Sequence, residues 1–173
     1  MRHARRPLAA GGGDLPARRR PHSLSESWIQ DPRISGALVR QLATEPAVAA
    51  SRTTLLVRAV DLEAAEPELL RSLGELTGAI EGRPVRAARA AEGLKDALRY
   101  GSPIADPAAA LAAVRSLGGD GGLVEGLLAV ALATAVGIRQ NWPDACRAAV
   151  VALRRHPERE VREAAYATVA CEK

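Results

Sequence analysis

Residues 148–170, AAVVALRRHPEREVREAAYATVA, read as the end of one helix, a sharp turn at Pro157, and a second helix laid back on the first. In that second helix Val161, Ala164, Ala165, Thr168 and Val169 recur at i, i+3, i+4, i+7 and i+8 and form one apolar face. Arg159, Glu160, Arg162 and Glu163 mostly take the other face. Neither helix can bury its stripe alone, so the stretch demands further helices stacked on it.

The same grammar recurs upstream. Asp31-Pro32, Glu66-Pro67, Asp106-Pro107 and Trp142-Pro143 each precede a helical pattern, at steps of 35, 40 and 36 residues. An aspartate N-cap followed by proline at the first helical position satisfies a free N–H and forfeits no hydrogen bond. A second series, Pro46, Pro84, the glycine-rich turn at 118–122 and Pro157, marks where each partner helix begins, with a first step of 38 residues. The predicted pairs are 32–43 with 47–60, 67–80 with 84–100, 107–117 with 122–138, and 142–155 with 158–170. Inward positions are expected at Ile34, Leu38 and Leu42, at Leu69, Leu73, Leu76 and Ile80, and at Val85, Ala88, Ala91, Leu94 and Leu98. Asn141 is expected to cap the fourth pair. The fold class that follows is all-α, an α-α superhelix of about four antiparallel helix pairs.

Composition agrees. At 173 residues one domain with a real core is expected. Hydrophobic residues are 47% and aromatics 2% with no Phe, so that core must be built from Ala, Leu and Val, whose small side chains suit closely packed helices rather than a sandwich. The net charge of +4 invites a nucleic-acid reading, but residues 1–22 hold six arginines against Asp14 and the remainder carries −1. The basic charge is therefore that of an arm, Arg/Gly/Pro-rich and expected to be disordered, ahead of a repeat domain over 23–173. Arg5-Arg6 lacks the apolar run of an export signal, since Leu8-Ala9-Ala10 is followed at once by three glycines. The arm reads either as an electrostatic tether to nucleic acid or an acidic partner, or as a solvated tail.

The fourth repeat, with Pro157, Val161, Arg162, Ala164 and Ala165 in order, resembles a HEAT repeat, and Pro84, Val85, Arg86, Ala87, Ala88, Ala90 and Ala91 match the pattern in part. By repeat length and helix-pair grammar the chain is similar to HEAT and HEAT-like (bilin-lyase-type) repeat proteins. The resemblance implies stacked repeats whose second helices line a concave binding surface. The Trp-Leu-Gly-Tyr signature of tetratricopeptide repeats is absent.

No catalytic constellation is legible, and the expectation is a protein that is not an enzyme and holds no cofactor or metal. Cys146 and Cys171 have no CxxC spacing, and His3, His22 and His156 are scattered. Cys146 shares a stripe with Ala149, Val150 and Leu153 and reads as a small buried hydrophobe. Free thiols suit a reducing compartment, so the cytoplasm is expected. Asp61, Glu63, Glu66 and Glu68 read as a solvated connector, and the glycine run at 118–122 lacks the strand and Lys-Ser/Thr of a phosphate loop. Residues 123–138, LVEGLLAVALATAVGI, are apolar almost all round, yet short for a membrane span. They read as a helix buried in mid-stack, or as one whose exposed side, including Leu128 and Leu132, receives a partner helix or a second copy.

Arg83, Arg86 and Arg89, and Arg154, Arg155, Arg159 and Arg162, are the basic clusters of the body. They read either as a surface for phosphates or an acidic peptide, or as partners of Glu81, Glu92, Glu158 and Glu163 on solvated faces. Trp28 and Trp142 are expected to staple helix ends. The leading expectation is a non-enzymatic adaptor or scaffold that binds a protein segment through its second helices, with Arg83, Arg86, Arg89, Leu128, Leu132, Arg155, Arg159 and Arg162 as candidate contacts. The alternative is a nucleic-acid-associated module using the arm and the Arg clusters, and behind it a HEAT-like enzyme such as a DNA glycosylase or bilin lyase. No membrane partner is expected, and packing of 23–30 over the first repeat or a dimer would cap the open end.

Overall fold

The computed structural model describes residues 36–80, 82–100, 104, 106–119 and 122–168. The arm at 1–22, the segment 23–30 with Trp28, the Asp31-Pro32 cap, Glu81, Val169 and Cys171 lie outside the described residues.

Four helix starts, those at Glu66, Pro84, Pro107 and Asp144, fall at or within a residue of a proline. The elements are α1 (Gly36–Ala43), a 3-10 turn (Pro46–Ser51), α2 (Arg52–Ala59), α3 (Glu66–Ile80) and α4 (Pro84–Leu98). They continue as α5 (Pro107–Gly119), α6 (Leu123–Arg139), α7 (Asp144–Leu153) and α8 (Arg159–Ala167). No strand occurs among the described residues, and the chain is all-α. Asp106 Oδ1 accepts the Ala108 N–H at 3.0 Å, the expected cap of α5 with Pro107 next to it. The single helix expected over 47–60 is broken instead. Ser51 sits at φ −100°, ψ 2°, and the Arg52 N–H bonds back to the Ala49 carbonyl, as tight turns do ahead of an α-helix proper.

Asn141 is not an N-cap. It has φ 55° and ends α6, and Trp142, also at φ 55°, donates its N–H to the Gly137 carbonyl at 2.7 Å while Asn141 N–H reaches the Ile138 carbonyl at 3.4 Å. This pair of crossed bonds is a Schellman end. Its hydrophobic contact is unusually close, because a methyl on Gly137 would lie 2.6 Å from the Trp142 ring. Trp142 is buried and holds a helix end, as expected of a staple.

Packing contacts fall into two series. The helices α3, α5 and α7 touch in one, α2, α4, α6 and α8 in the other, and the sequential pairs α1–α2, α3–α4, α5–α6 and α7–α8 join them. The helix α6 packs against α3, α4, α5, α7 and α8, and its residues from Val124 through Gly137 are nearly all buried, which is why it can be apolar nearly all round. At Gly126 a methyl would lie 2.6 Å from Val161 Cγ2, so glycine is what admits α8 this closely to α6.

Two inward registers differ from expectation. In α4 Val85 is 67% exposed and Ala88 is exposed too, while Ala87, Ala90, Ala91, Leu94 and Leu98 are buried. The apolar residues of this helix span more than one arc, and contacts with α2, α3 and α6 select which arc turns inward. In α1 Leu38 is exposed and Val39 and Ala43 are buried, since α2 and the 3-10 turn cover a narrow arc.

Candidate functional site

A groove of ≈ 570 Å³ runs over α6 between α4 and α8. The second helix of each of three successive pairs therefore contributes one side or the floor. From α6 the floor takes Leu127, Val130, Ala131, Thr134 and Ile138, all but the last buried along most of their surface. From α4 come Ala88, Ala91, Glu92, Lys95 and Arg99, and from α8 come Glu160, Glu163, Ala164, Ala167 and Thr168. Both sets repeat at three, four and seven residues, so each is one helix face. Trp142, just past the end of α6, lines the groove as well.

The polar groups in the groove are largely committed. Thr134 Oγ1 donates to the Val130 carbonyl at 2.7 Å and Thr168 Oγ1 to the Ala164 carbonyl at 3.1 Å, with the two hydroxyl oxygens 3.3 Å apart. Lys95 pairs with Glu92 at 2.5 Å, and Glu163 with Arg159 at 2.7 Å. Arg99 lies over the Tyr100 ring, 5.6 Å from its centroid.

None of the eight candidate contacts read from the sequence lines this groove. Leu128 and Leu132 are 0% exposed, so the reading of them as an exposed patch is corrected. Their neighbours Leu127 and Ala131, one position away, face the groove instead. Arg83, Arg86 and Arg89 are exposed and line another face of α4. Their expected partner Glu92 is taken by Lys95. Arg155 is exposed and lines a smaller cavity of ≈ 280 Å³ with His156 and Leu153. Arg159 is tied to Glu163, whose hydrogen bond raises the guanidinium pKa. Arg162 donates Nη1 to the carbonyls of His156, at 2.8 Å, and Pro157, at 2.6 Å, and so braces the turn between α7 and α8. The groove residues have a sequence signal, the small residues at three- and four-residue spacing beside each buried stripe, but the charged residues among them, Glu92, Lys95, Arg99, Glu160 and Glu163, are mixed in sign and form no cluster.

The acidic connector is more structural than its sequence implied. Glu63 reaches Arg139 at the end of α6 at 3.0 Å, and Glu68 bridges Arg40 of α1 at 2.8 Å and Arg71 at 2.6 Å. The hydrogen bond from Arg71 leads the interactions that hold Glu68 below the usual carboxylate range. Cys146 is fully buried and burial pushes its thiol pKa up, which makes it a poor nucleophile. His156 is buried, and its Nδ1 accepts the Glu158 N–H at 3.1 Å at the entry to α8, while Nε2 has no hydrogen-bond partner. Burial pulls its pKa below the usual value, against Glu158, which raises it, and together with Arg162, which lowers it. Among the described residues no group of three or more His, Cys, Asp or Glu side chains is placed to hold a metal, and no helix is long and apolar enough to cross a membrane.

Compared with known proteins, the chain matches no family model, no curated protein and no solved structure.

Proposed function

We propose that the chain is a non-enzymatic helical-repeat adaptor that holds a segment of another protein in the groove over α6. The observation that carries this reading is the construction of the groove, a largely apolar floor left open between two walls on which alanines are interspersed with charged side chains. The two contact series, with α4, α6 and α8 adjacent in one of them, support a HEAT-like stack that binds through its second helices. Cys146, a free thiol, fits a reducing compartment, and we place the protein in the cytoplasm.

Ala88 and Ala167 are exposed and line opposite walls, so arginine at either position obstructs the groove without touching the core. In a pull-down from nuclease-treated host lysate, Ala88→Arg and Ala167→Arg are expected to lose a protein that the parent chain and Arg86→Ala both retain. Thermal melts of the two arginine variants should match the parent. A partner retained by both arginine variants would exclude the groove.

A second reading rests on Arg83, Arg86 and Arg89, which are exposed on one side of α4 and take no ion pair among the described residues. These would serve a nucleic-acid-associated module. Phosphate-dominated binding falls steeply with salt, whereas burial of apolar surface does not. Binding to duplex DNA that weakens with salt and with Arg86→Ala would favour this second reading over the adaptor.

A further inference from the structure

We infer that the occupant of the groove is an amphipathic α-helix of a partner protein, seated by large aliphatic side chains, with an acidic residue flanking α4 and a basic residue flanking α8. This rests on the groove being the protein-binding site and adds the chemistry and orientation of what it holds.

The first argument is backbone satisfaction. The groove is made from the sides of three helices, whose backbone groups bond along their own axes, and the hydroxyls of Thr134 and Thr168 already donate to Val130 and Ala164. An extended segment pressed into it would leave its own N–H and C=O groups without partners. A helix brings its backbone already bonded.

The second argument is shape. Ala88 and Ala91 on one wall and Ala164 and Ala167 on the other each offer a single methyl, and the floor is aliphatic except for Thr134. Methyl-lined walls leave a trough that Leu, Ile or Met side chains repeating at i, i+4 and i+7 fill, as ridges fill grooves between packed helices.

The third argument is charge. On the α4 wall Lys95 is neutralised by Glu92, which leaves Arg99 with its ring contact and no ion pair among the described residues. On the α8 wall Glu163 is neutralised by Arg159, which leaves Glu160 without an ion pair among the described residues. The two walls thus present opposite signs to one occupant. Turning a seated helix end for end exchanges its flanks, so opposite walls fix its direction.

The test uses the full chain carrying Trp28→Phe, which leaves Trp142 in the groove as the remaining tryptophan. The probe is a synthetic amphipathic peptide with leucines at i, i+4, i+7 and i+11, glutamates on one flank and lysines on the other. It is dansylated at one terminus or the other. We expect saturable binding, tenfold or more weaker when the leucines become alanines and lost in Ala88→Arg. Energy transfer from Trp142 should favour one terminus, and the preference should exchange in the double variant Arg99→Glu with Glu160→Arg. Both substituted side chains are exposed, so this variant should melt as the parent does. Binding that Ala88→Arg abolishes but that shows no terminal preference, or no exchange, overturns the charge argument alone. Failure of the peptide to bind, together with saturable binding of oleate or a chain dimer lost in Ala88→Arg, overturns the helix occupant and assigns the groove to an acyl ligand or a second copy. Peptide binding indifferent to Ala88→Arg overturns the groove itself.

Discussion

Single residues decide how closely α6 is approached. Gly137 lies under the Trp142 ring, where an added methyl would sit 2.6 Å from two ring carbons, and Trp142 itself is held at φ 55° by the end of the helix. The ring cannot move without disturbing that end. Gly137→Ala should therefore destabilise by about 1–3 kcal/mol in urea denaturation, the range for overpacking. Gly74, on an exposed face of α3 where an added methyl would meet nothing within 4 Å, gives the opposite expectation. Gly74→Ala should stabilise by about 0.5–1 kcal/mol through helix propensity, and equal signs for the two would count against the close approach at Gly137. His156 makes a pH prediction. Burial holds its folded pKa below the unfolded value near 6.5, so between those values the unfolded chain binds more protons and stability rises with pH. The contribution is intact above the unfolded pKa and declines as pH falls below it, because the imidazolium cannot accept the Glu158 N–H through Nδ1. Unfolding free energy measured at pH 7.5 and 5.0 should fall less in His156→Gln than in the parent.

At the scale of elements, proline-marked helix starts were legible, and facing was legible where one apolar arc stood alone, as in α3, whose expected Leu69, Leu73, Leu76 and Ile80 are all buried. Pro84 and Pro107 open α4 and α5, and Pro67 and Pro143 fall within a residue of the starts of α3 and α7, because a proline boundary is a rule about local backbone. The Asp106 cap belongs to the same class. Asp106→Ala should cost about 1 kcal/mol and Asp106→Asn much less, measured by chemical denaturation; equal losses would mean that the carboxylate acts by charge rather than by its bond to Ala108. Facing depends on neighbours that a single helix does not reveal. In α4 the residues Val85, Ala87, Ala88, Ala90 and Ala91 offer two apolar arcs of similar quality, and the structure buries the one containing Ala87 and Ala90. For the same reason the candidate site was missed. Exposed and buried alanines look alike in sequence, whereas arginines stand out, so Arg86 and Arg159 were legible as candidates and Ala88 and Ala164 were not.

At the scale of the whole molecule, α6 is the helix on which three successive pairs meet. It packs on its own pair through α5 and on both flanking pairs, α3 and α4 on one side and α7 and α8 on the other, so the nearest-neighbour coupling of three pairs runs through one helix. The first pair is held differently, through α2 against α3 and α4, while α1 packs on α2 and the 3-10 turn. Native-state hydrogen exchange should accordingly be slowest in α6 and fastest in α1. Leu132 sits at the centre of this arrangement and is fully buried. Leu132→Ala should lower stability by about 2–5 kcal/mol, the range for a leucine-sized core deletion. The effect should reach every helix that α6 organises, so helicity by circular dichroism and Trp142 fluorescence in a Trp28→Phe background should be lost together along a urea gradient. If the fluorescence transition moved to lower urea while most helicity persisted, the fourth pair would be unfolding alone, and the molecule would be a chain of independent repeats. Coincident transitions would instead mean that the groove, whose floor is α6, unfolds only together with the core beneath it.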